Sequence, residues 1–249
     1  MRRRLLLVVA LALGGAAAAA PVTITVSAAA SLADVAKGLA ARFEAAHPGT
    51  TVRLNLGASG QLLQQIVQGA PVDVLATADA ETLDRGIAEG VIEAPTRRAF
   101  ARNEVVLVVP ATASVPVHRL ADLARPGVAR IAIGKPATVA AGRVAWRWLE
   151  QAGLAAALQA RVVPSDTVRQ ALDYVARGEV DAAFVFRTDA RTQPERVRLV
   201  PGAVAPDAVV YPAAVVSGSR QPAAARAFVD FLLSAEAQEL LARHGFARP

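Results

Sequence analysis

Two serines of this chain each follow an extended apolar segment and precede a helical pattern. Ser31 ends the segment 22–31, and Ser59 lies in the sequence Gly-Ala-Ser-Gly-Gln at 57–61. Such positions present a hydroxyl together with the first amides of a helix, which have no partner within the helix. Because the helix dipole is positive at this end, these groups attract anions. Two such helix starts directed at one point predict a site for a small oxyanion.

Two further helix starts in the second half of the chain resemble the first pair. The segment 138–142 precedes a helical pattern containing Arg143, and the segment 164–168 precedes another. Ordinary helix capping is the alternative for each of these starts taken singly. The same holds for Ser31, which with Asp34 three positions later forms a weak capping box. Four starts after strand ends nevertheless favour a ligand crevice, because ligands of open α/β sheets bind outside the carboxyl ends of the strands.

A secreted serine hydrolase built on Ser59 is the alternative from another class of protein. The segment 57–61 resembles the nucleophile elbow Gly-x-Ser-x-Gly, but Gln61 stands where the last glycine is required. A hydrolase also needs a histidine base, and the chain has three histidines, none in a recognisable catalytic motif: His47, His118 and His244.

Metal-ligand patterns and nucleic-acid-binding patterns are both missing from the sequence. The chain has no cysteine, no His-x-x-x-His pair and no Asp-rich calcium loop. Its net charge is +6, from 27 basic and 21 acidic residues, and falls to about +3 without Arg2, Arg3 and Arg4. The remaining basic residues are scattered and aromatic residues are few, whereas a nucleic-acid groove needs clustered charge and stacking rings. We therefore predict no metal site and no nucleic-acid partner.

The first twenty residues have the composition of a secretory signal peptide. Three arginines precede an apolar run at 5–13 and an alanine-rich end, with cleavage expected between Ala18 and Ala20. The apolar run is too short to span a bilayer permanently, because a membrane helix needs about 20 residues. No later segment is apolar enough to cross a membrane, so we expect an exported, soluble mature protein without disulfides.

Apolar strand-like segments alternate with amphipathic helical segments along the rest of the chain. Examples are the strand at 23–27 before the helix at 32–46, and the buried strand predicted at 103–110. This alternation predicts an α/β fold with mostly parallel sheets. Prolines at 95 and 212 mark possible crossings between two lobes. The predicted division gives residues 21–98 with 212–249 to the first lobe and 99–211 to the second.

Several short motifs in a fixed order resemble the periplasmic molybdate-binding proteins, the substrate-binding components of ABC importers. The similarity runs from Ile24 to Phe246. The motifs lie at 28–32, 57–62, 69–74, 103–108, 140–143, 166–172, 184–190, 211–212, 231–238 and 245–246. The resemblance implies a two-lobed α/β periplasmic binding protein fold with a ligand cleft between the lobes.

The resemblance also implies which residues bind the anion. Ser31 and Ser59 would donate from the first lobe, and backbone amides of Ala141 and Val168 from the second. Phe186 stands where the family usually has a tyrosine, and would form a pocket wall without donating a hydrogen bond. Ala140 stands where the family often has a proline.

The implied function is a non-catalytic receptor in the periplasm. It would capture molybdate, and tungstate because of its similar size and charge, and deliver the ion to a membrane ABC permease. No cofactor is implied, and a monomer is expected. Since Phe186 removes one donor, sulfate or another oxyanion is the alternative ligand within the same class.

Overall fold

Two five-stranded sheets form the framework of the protein, in a computed structural model that describes residues 21–249. The predicted signal peptide, residues 1–20, lies outside the described residues. The first sheet contains β1 (Val22–Ala29), β2 (Thr50–Gly57), β3 (Val74–Ala76), β4 (Arg98–Asn103) and β10 (Val209–Val215). The second contains β5 (Val105–Pro110), β6 (Ile131–Gly134), β7 (Val162–Ser165), β8 (Ala182–Phe186) and β9 (Val197–Val204).

Nine α-helices of the described chain surround the two sheets, most of them in direct contact with a strand. The first sheet carries α1 (Ala33–Ala46), α2 (Ser59–Val67), α3 (Ala80–Ala88), α8 (Pro222–Phe231) and α9 (Ala235–Arg243). The second carries α4 (Ala140–Gln151), α5 (Ala155–Leu158), α6 (Val168–Ala176) and α7 (Arg187–Ala190). We call each sheet with its helices a lobe. None of the helices described is both long enough and apolar enough to cross a bilayer.

Both sheets have the same arrangement of neighbours. The strand orders are β2-β1-β3-β10-β4 in the first lobe and β7-β6-β8-β5-β9 in the second. In each sheet the first three strands of this order are parallel to one another, and the remaining two strands are joined by antiparallel pairings. Among the described strands, β10 in the first sheet and β5 in the second run against the other four, so the prediction of mostly parallel sheets fails at the pairings of these two strands. Each of the two is the first strand after the chain crosses from the other lobe.

The chain crosses between the sheets at Glu104 and again at 205–208. The predicted boundaries, after residue 98 and before residue 212, differ because β4 and β10 pair with each other in the first sheet, with Val209 opposite Asn103. The single strand predicted at 103–110 is likewise two segments. Asn103 ends β4 in one sheet, and Val105 begins β5 in the other.

Buried apolar side chains cover both faces of the first sheet. On one face α1 presents Val35, Leu39 and Phe43 at helical spacing, and all three are buried. On the other face a separate cluster joins α2 to α3, including Leu63 and Leu83. In the second lobe all six residues of β5 are buried, as expected for a strand covered on both sides. This packing fixes the sheet edges that hold the candidate site.

Candidate functional site

The five residues predicted to bind a ligand all line one small cavity between the lobes. The first lobe contributes residues after β1, β2 and β3, and the second contributes the starts of α4 and α6 with the end of β8. The lining residues are Ala29, Ala30, Ser31, Gly57, Ala58, Ser59, Ala78, Val139, Ala140, Ala141, Val168 and Phe186. The cavity volume is about 10 Å³, which leaves room for a small group only.

Parallel strands bring these residues together. Ala29 and Gly57 are adjacent partners at the ends of β1 and β2, so Ser31 and Ser59 follow at the same sheet edge. In the second lobe Gly134 and Ser165 are partners at the ends of β6 and β7, before α4 and α6. The two carboxyl edges face each other across the cavity, as the rule for ligand crevices of α/β sheets predicts.

The hydroxyl oxygen of Ser59 accepts a hydrogen bond from the protein backbone. The amide of Ala78 donates to Ser59 Oγ at 3.0 Å, and both residues are buried. A serine hydroxyl has one proton to donate, and here that proton has no acceptor among residues 21–249. Ser59 is therefore able to donate its proton into the cavity that it lines.

The hydroxyl of Ser31 does not cap its own helix. Its Oγ lies 2.9 Å from the phenol oxygen of Tyr211, and no side chain caps the short 3₁₀ turn at 30–32 or α1. Asp34, the other half of the expected capping box, instead forms an ion pair with Arg169 of the second lobe. The capping alternative for Ser31 is therefore wrong, because its hydroxyl is hydrogen-bonded to the buried phenol of Tyr211 and not to its own helix.

Several main-chain amides of the lining residues have no hydrogen-bond acceptor within the part of the chain described. They include those of Ser31, Ser59, Ala141 and Val168. The starts of α2 and α4 have no side-chain cap, whereas at α6 Thr167 caps the amide of Gln170 at 3.1 Å and leaves that of Val168 unpaired. Unpaired amides at helix starts bind anions through their partial positive charge.

The walls of the cavity are apolar and carry no charged side chain. Phe186 is 1% exposed, and its ring meets that of Tyr211 edge-on at 5.5 Å. Alanines, valines and glycine supply the rest of the lining. The polar groups available to a ligand are thus neutral N–H and O–H donors in an apolar setting, where hydrogen bonds to an anion are strengthened.

Two arginines next to the cavity are already paired with carboxylates. Arg143 on α4 reaches Asp79 of the first lobe at 2.9 Å and also contacts Glu81 at 3.4 Å. Arg169 on α6 bridges Asp34 of the first lobe and the fully buried Asp189 of its own lobe, the latter at 2.6 Å. These pairs join the lobes on either side of the cavity and leave the ligand to neutral donors.

Asp189 is the strongly perturbed carboxyl of this region. Burial raises its pKa to about 6, against the opposing effect of the Arg169 guanidinium. The amide of Phe186 and the more distant Asp34 act on the same group in opposite directions. The charge balance behind the cavity therefore changes near pH 6.

The lobes also touch through the backbone beside the cavity. The amide of Gly60 donates to the carbonyl of Thr138 across the cleft at 3.0 Å. A methyl group on Gly60 would lie 2.8 Å from Thr138 Cα, which is too close for real contacts. Glycine at position 60 therefore allows this approach of the lobes.

The geometry gives no support to a serine hydrolase. All three histidines lie within residues 21–249, and none lines the cavity. His47 and His244 each use Nδ1 on a carbonyl of their own helix, those of Phe43 and Leu240. Ser59 therefore has no base beside it. Within the described residues, no group of three or more His, Asp or Glu side chains is placed to hold a metal ion.

The sequence analysis missed two buried residues behind the cavity, Tyr211 and Asn103. The phenol of Tyr211 contacts Ser31, and Asn103 Nδ2 lies 3.3 Å from that phenol. The sequence offers Tyr211 only in its motif with Pro212, and Asn103 only as the start of a predicted strand and of the motif at 103–108. No local pattern reveals their contacts, because their partners are 85 to 180 residues away.

Comparisons with known proteins agree with this architecture. The model of the family described as bacterial extracellular solute-binding protein matches residues 24–247. The molybdate-binding protein ModA of Escherichia coli is 34% identical over 234 residues, which cover 90% of this chain and 88% of that protein.

Solved structures share the fold over nearly the whole chain. The periplasmic molybdate-binding protein of Azotobacter vinelandii has a TM-score of 0.77 at 24% identity, covering 91% of this chain and 99% of that one. The sulfate-binding protein SubI of Mycobacterium tuberculosis has a TM-score of 0.81 at 21% identity, covering 91% and 87%. At these identities the likeness shows the fold alone. The predicted two-lobed α/β fold is confirmed.

Proposed function

This chain belongs to the bacterial extracellular solute-binding proteins, and on that premise we propose that it captures molybdate and delivers it to a membrane ABC permease. The relative from Escherichia coli carries molybdate binding in its name. The observation that supports the ligand most directly is the cavity itself, where two hydroxyls and four unpaired amides from both lobes meet without a charged side chain.

A doubly charged tetrahedral anion fits this set of donors. Burying an ion is costly unless its oxygens are hydrogen-bonded. Each hydrogen bond to a charged group contributes about 1.5–3 kcal/mol after the loss of its bonds to water is counted, so six donors together can hold the ion. The starts of α2, α4 and α6 add their dipoles.

Donor-only lining also selects the protonation state of the ligand. An anion that keeps a proton, such as hydrogen phosphate, would place an O–H against an N–H or O–H of the protein and leave both unpaired. Molybdate and sulfate are fully deprotonated at neutral pH. Sulfate is smaller, so donors spaced for the longer metal–oxygen bonds would hold it loosely, whereas tungstate matches molybdate in charge and size.

Transport follows from the position of the site between the lobes. The donor set is complete only when both lobes contact the ligand, so the ligand favours the closed form. The closed form would then be the one that the permease receives. We propose a periplasmic, monomeric receptor that acts without a cofactor and without catalysis.

Calorimetric titration with a panel of oxyanions tests this function. Molybdate and tungstate are expected to bind one ion per chain, with sulfate at least about tenfold weaker and hydrogen phosphate weaker still, corresponding to one lost hydrogen bond or more. Tighter binding of sulfate than of molybdate would replace the proposed ligand by the alternative. Absence of binding by every anion would overturn the proposal as a whole.

A further inference from the structure

We propose that Asn103 and Tyr211 orient the hydroxyl proton of Ser31 toward the ligand, and so act as positioning residues of the anion site. The inference rests on the proposed function, because it concerns the same cavity. It assigns roles to two buried side chains that do not line the cavity themselves. One chain of hydrogen bonds runs from the crossing between the lobes to Ser31.

The backbone fixes which way the side-chain amide of Asn103 points. The amide of Glu104 donates to Asn103 Oδ1 at 2.9 Å, so this atom must be the oxygen. The NH₂ group then faces Thr188 Oγ1 at 2.8 Å and the phenol oxygen of Tyr211 at 3.3 Å. Asn103 therefore acts as a donor to both hydroxyls.

The phenol of Tyr211 accepts from Asn103 and keeps its own proton for Ser31. Tyr211 is completely buried, and burial, reinforced by the charge of Asp189, raises its phenol pKa well above the usual value. The phenol therefore stays protonated. Its other polar neighbour is Ser31 Oγ at 2.9 Å, so its single proton is donated there.

Ser31 is thereby left as a donor toward the cavity. Because Ser31 Oγ already accepts from Tyr211, its own proton is directed elsewhere, and the cavity is the space that it lines. The amide of Ala78 has the same effect on Ser59. Both hydroxyls are thus set as donors before a ligand arrives, which suits an anion without protons.

The hydrogen-bond chain also spans the crossing between the lobes. Asn103 ends β4 of the first lobe, whereas Thr188 belongs to α7 of the second. The four side chains of this hydrogen-bond chain are nearly inaccessible to water, so competing hydrogen bonds from solvent are excluded. The orientation of Ser31 therefore depends on the conformation of the segment that joins the lobes.

Tyr211→Phe removes the phenol and keeps the aromatic packing. The Tyr211 ring meets those of Phe186 and Phe246 at 5.5 Å each and Phe100 at 6.4 Å, all edge-on. These contacts remain in the variant. Tyr174→Phe is the matched control, because Tyr174 is the only other tyrosine of the sequence and lies half-buried on α6 away from the cavity lining.

The test is a double-mutant cycle on molybdate affinity, measured by titration in wild type, Tyr211→Phe, Ser31→Ala and the double variant. We expect Tyr211→Phe to weaken binding about 5- to 30-fold, the effect of one hydrogen bond, and Tyr174→Phe to have no effect. In the Ser31→Ala background the tyrosine substitution should change affinity less than about twofold, because its target is gone. A purely structural role of Tyr211 would lower affinity equally in both backgrounds.

A second variant covers the case in which Tyr211→Phe unfolds. Asn103→Asp places an acceptor beside the phenol, which then turns its proton away from Ser31. The negative charge of the new carboxylate in this variant is present both with Ser31 and with Ser31→Ala, so its direct effect on affinity cancels in the double-mutant cycle. The coupling energy that remains measures the effect on the orientation of the Ser31 hydroxyl. Full wild-type affinity in Tyr211→Phe, or no coupling in either cycle, would overturn the inference. Failure of the wild type to bind molybdate would instead overturn the proposed function.

Discussion

At the scale of single residues, the site depends on hydroxyls and amides that carry no formal charge. Ser59 Oγ accepts from Ala78, and Ser31 Oγ has Tyr211 as its partner. Two arginines that follow lining residues of α4 and α6, Arg143 and Arg169, are already paired with carboxylates. A site of this kind recognises an anion by the direction of its donors, since a free guanidinium would attract many anions alike.

Removing the hydroxyl of Ser59 is expected to weaken molybdate binding about 10- to 100-fold in Ser59→Ala, because one hydrogen bond to a charged ligand is lost. Calorimetry gives the affinity. Ser217→Ala is the matched control, because Ser217 is exposed and lies outside the cavity lining. Equal affinity of Ser59→Ala and the wild type would show that Ser59 does not bind the ion.

Adding a phenol at position 186 is expected to tighten binding. Phe186 lines the cavity and is 1% exposed, so Phe186→Tyr introduces one more O–H donor at its wall. The expected gain in molybdate affinity is about 3- to 30-fold. Competition titration would measure it. A weaker variant would mean that the cavity is packed around phenylalanine and has no room for the oxygen.

The sequence predicted residues that line the cavity, but not the buried side chains that contact them from behind. Ser31 and Ser59 follow strand ends, a local pattern that can be read directly. Tyr211 lies 180 residues from Ser31, and this pairing exists only because β10 returns to the first sheet. Hydrogen bonds of this kind depend on the folded topology and leave no periodic signal.

At the scale of elements, the starts of α2, α4 and α6 hold the amides of the site, and small residues allow the close packing. Gly142 on α4 lies against β6, and a methyl group there would be 1.8 Å from the carbonyl oxygen of Gly134. Gly60 on α2 has the same relation to Thr138 of the other lobe. The first glycine serves packing within a lobe, and the second serves closure.

Gly60→Ala is therefore expected to impair closure without impairing folding. The added methyl group meets Thr138 Cα at 2.8 Å only when the lobes approach. Alanine also favours a helix over glycine, so the unliganded protein should be as stable as the wild type or more so. Molybdate affinity should fall about tenfold or more, the effect of a lost hydrogen bond or two.

Small-angle scattering measures this closure directly. The wild type is expected to contract when molybdate is added, and Gly60→Ala to contract less. Gly218→Ala is the control, because Gly218 has open space around its α-carbon and no positive φ. Normal contraction and affinity in Gly60→Ala would contradict the role assigned to this contact.

The positions of most elements follow from the sequence, whereas the crossings between the lobes do not. The helix predicted at 32–46 corresponds to α1, Ala33–Ala46. The strand predicted at 103–110 is divided between two sheets, because the backbone leaves one sheet at Asn103 and enters the other at Val105. Apolar residues on both sides of the crossing are buried alike, so hydropathy cannot reveal the division.

At the scale of the whole molecule, two lobes of the same strand order meet at a donor-lined cavity. Ion pairs from Arg143 and Arg169 join the lobes on either side of it. Pairs as exposed as that of Arg169 with Asp34 contribute little on their own. The ligand is therefore expected to supply most of the free energy that favours closure.

The buried carboxyl of Asp189 makes the stability of the molecule depend on pH. Its folded-state pKa, about 6, is above the unfolded value of 3.8 because of burial. Between these values the folded protein binds more protons than the unfolded chain, so this group adds stability as the pH falls through 6. Arg169, Asp34 and the phenol of Tyr211 are the groups that face it.

Asp189→Asn isolates this contribution. The free energy of unfolding, from urea titrations at pH 7.5 and pH 5, should rise toward pH 5 more in the wild type than in the variant. Other titrating groups are common to both proteins and cancel in the comparison. An identical pH dependence of the two proteins would show that Asp189 stays ionised over this range.

The position of the metal in crystals grown with molybdate tests the proposed anion site. Anomalous scattering at the molybdenum edge locates that atom independently of the protein. One strong peak per chain is expected between the lobes, with the oxygens of the ion within hydrogen-bond distance of Ser31, Ser59, Ala141 and Val168. A peak anywhere else, or an ion that these four residues do not contact, would show that this cavity is not the anion site.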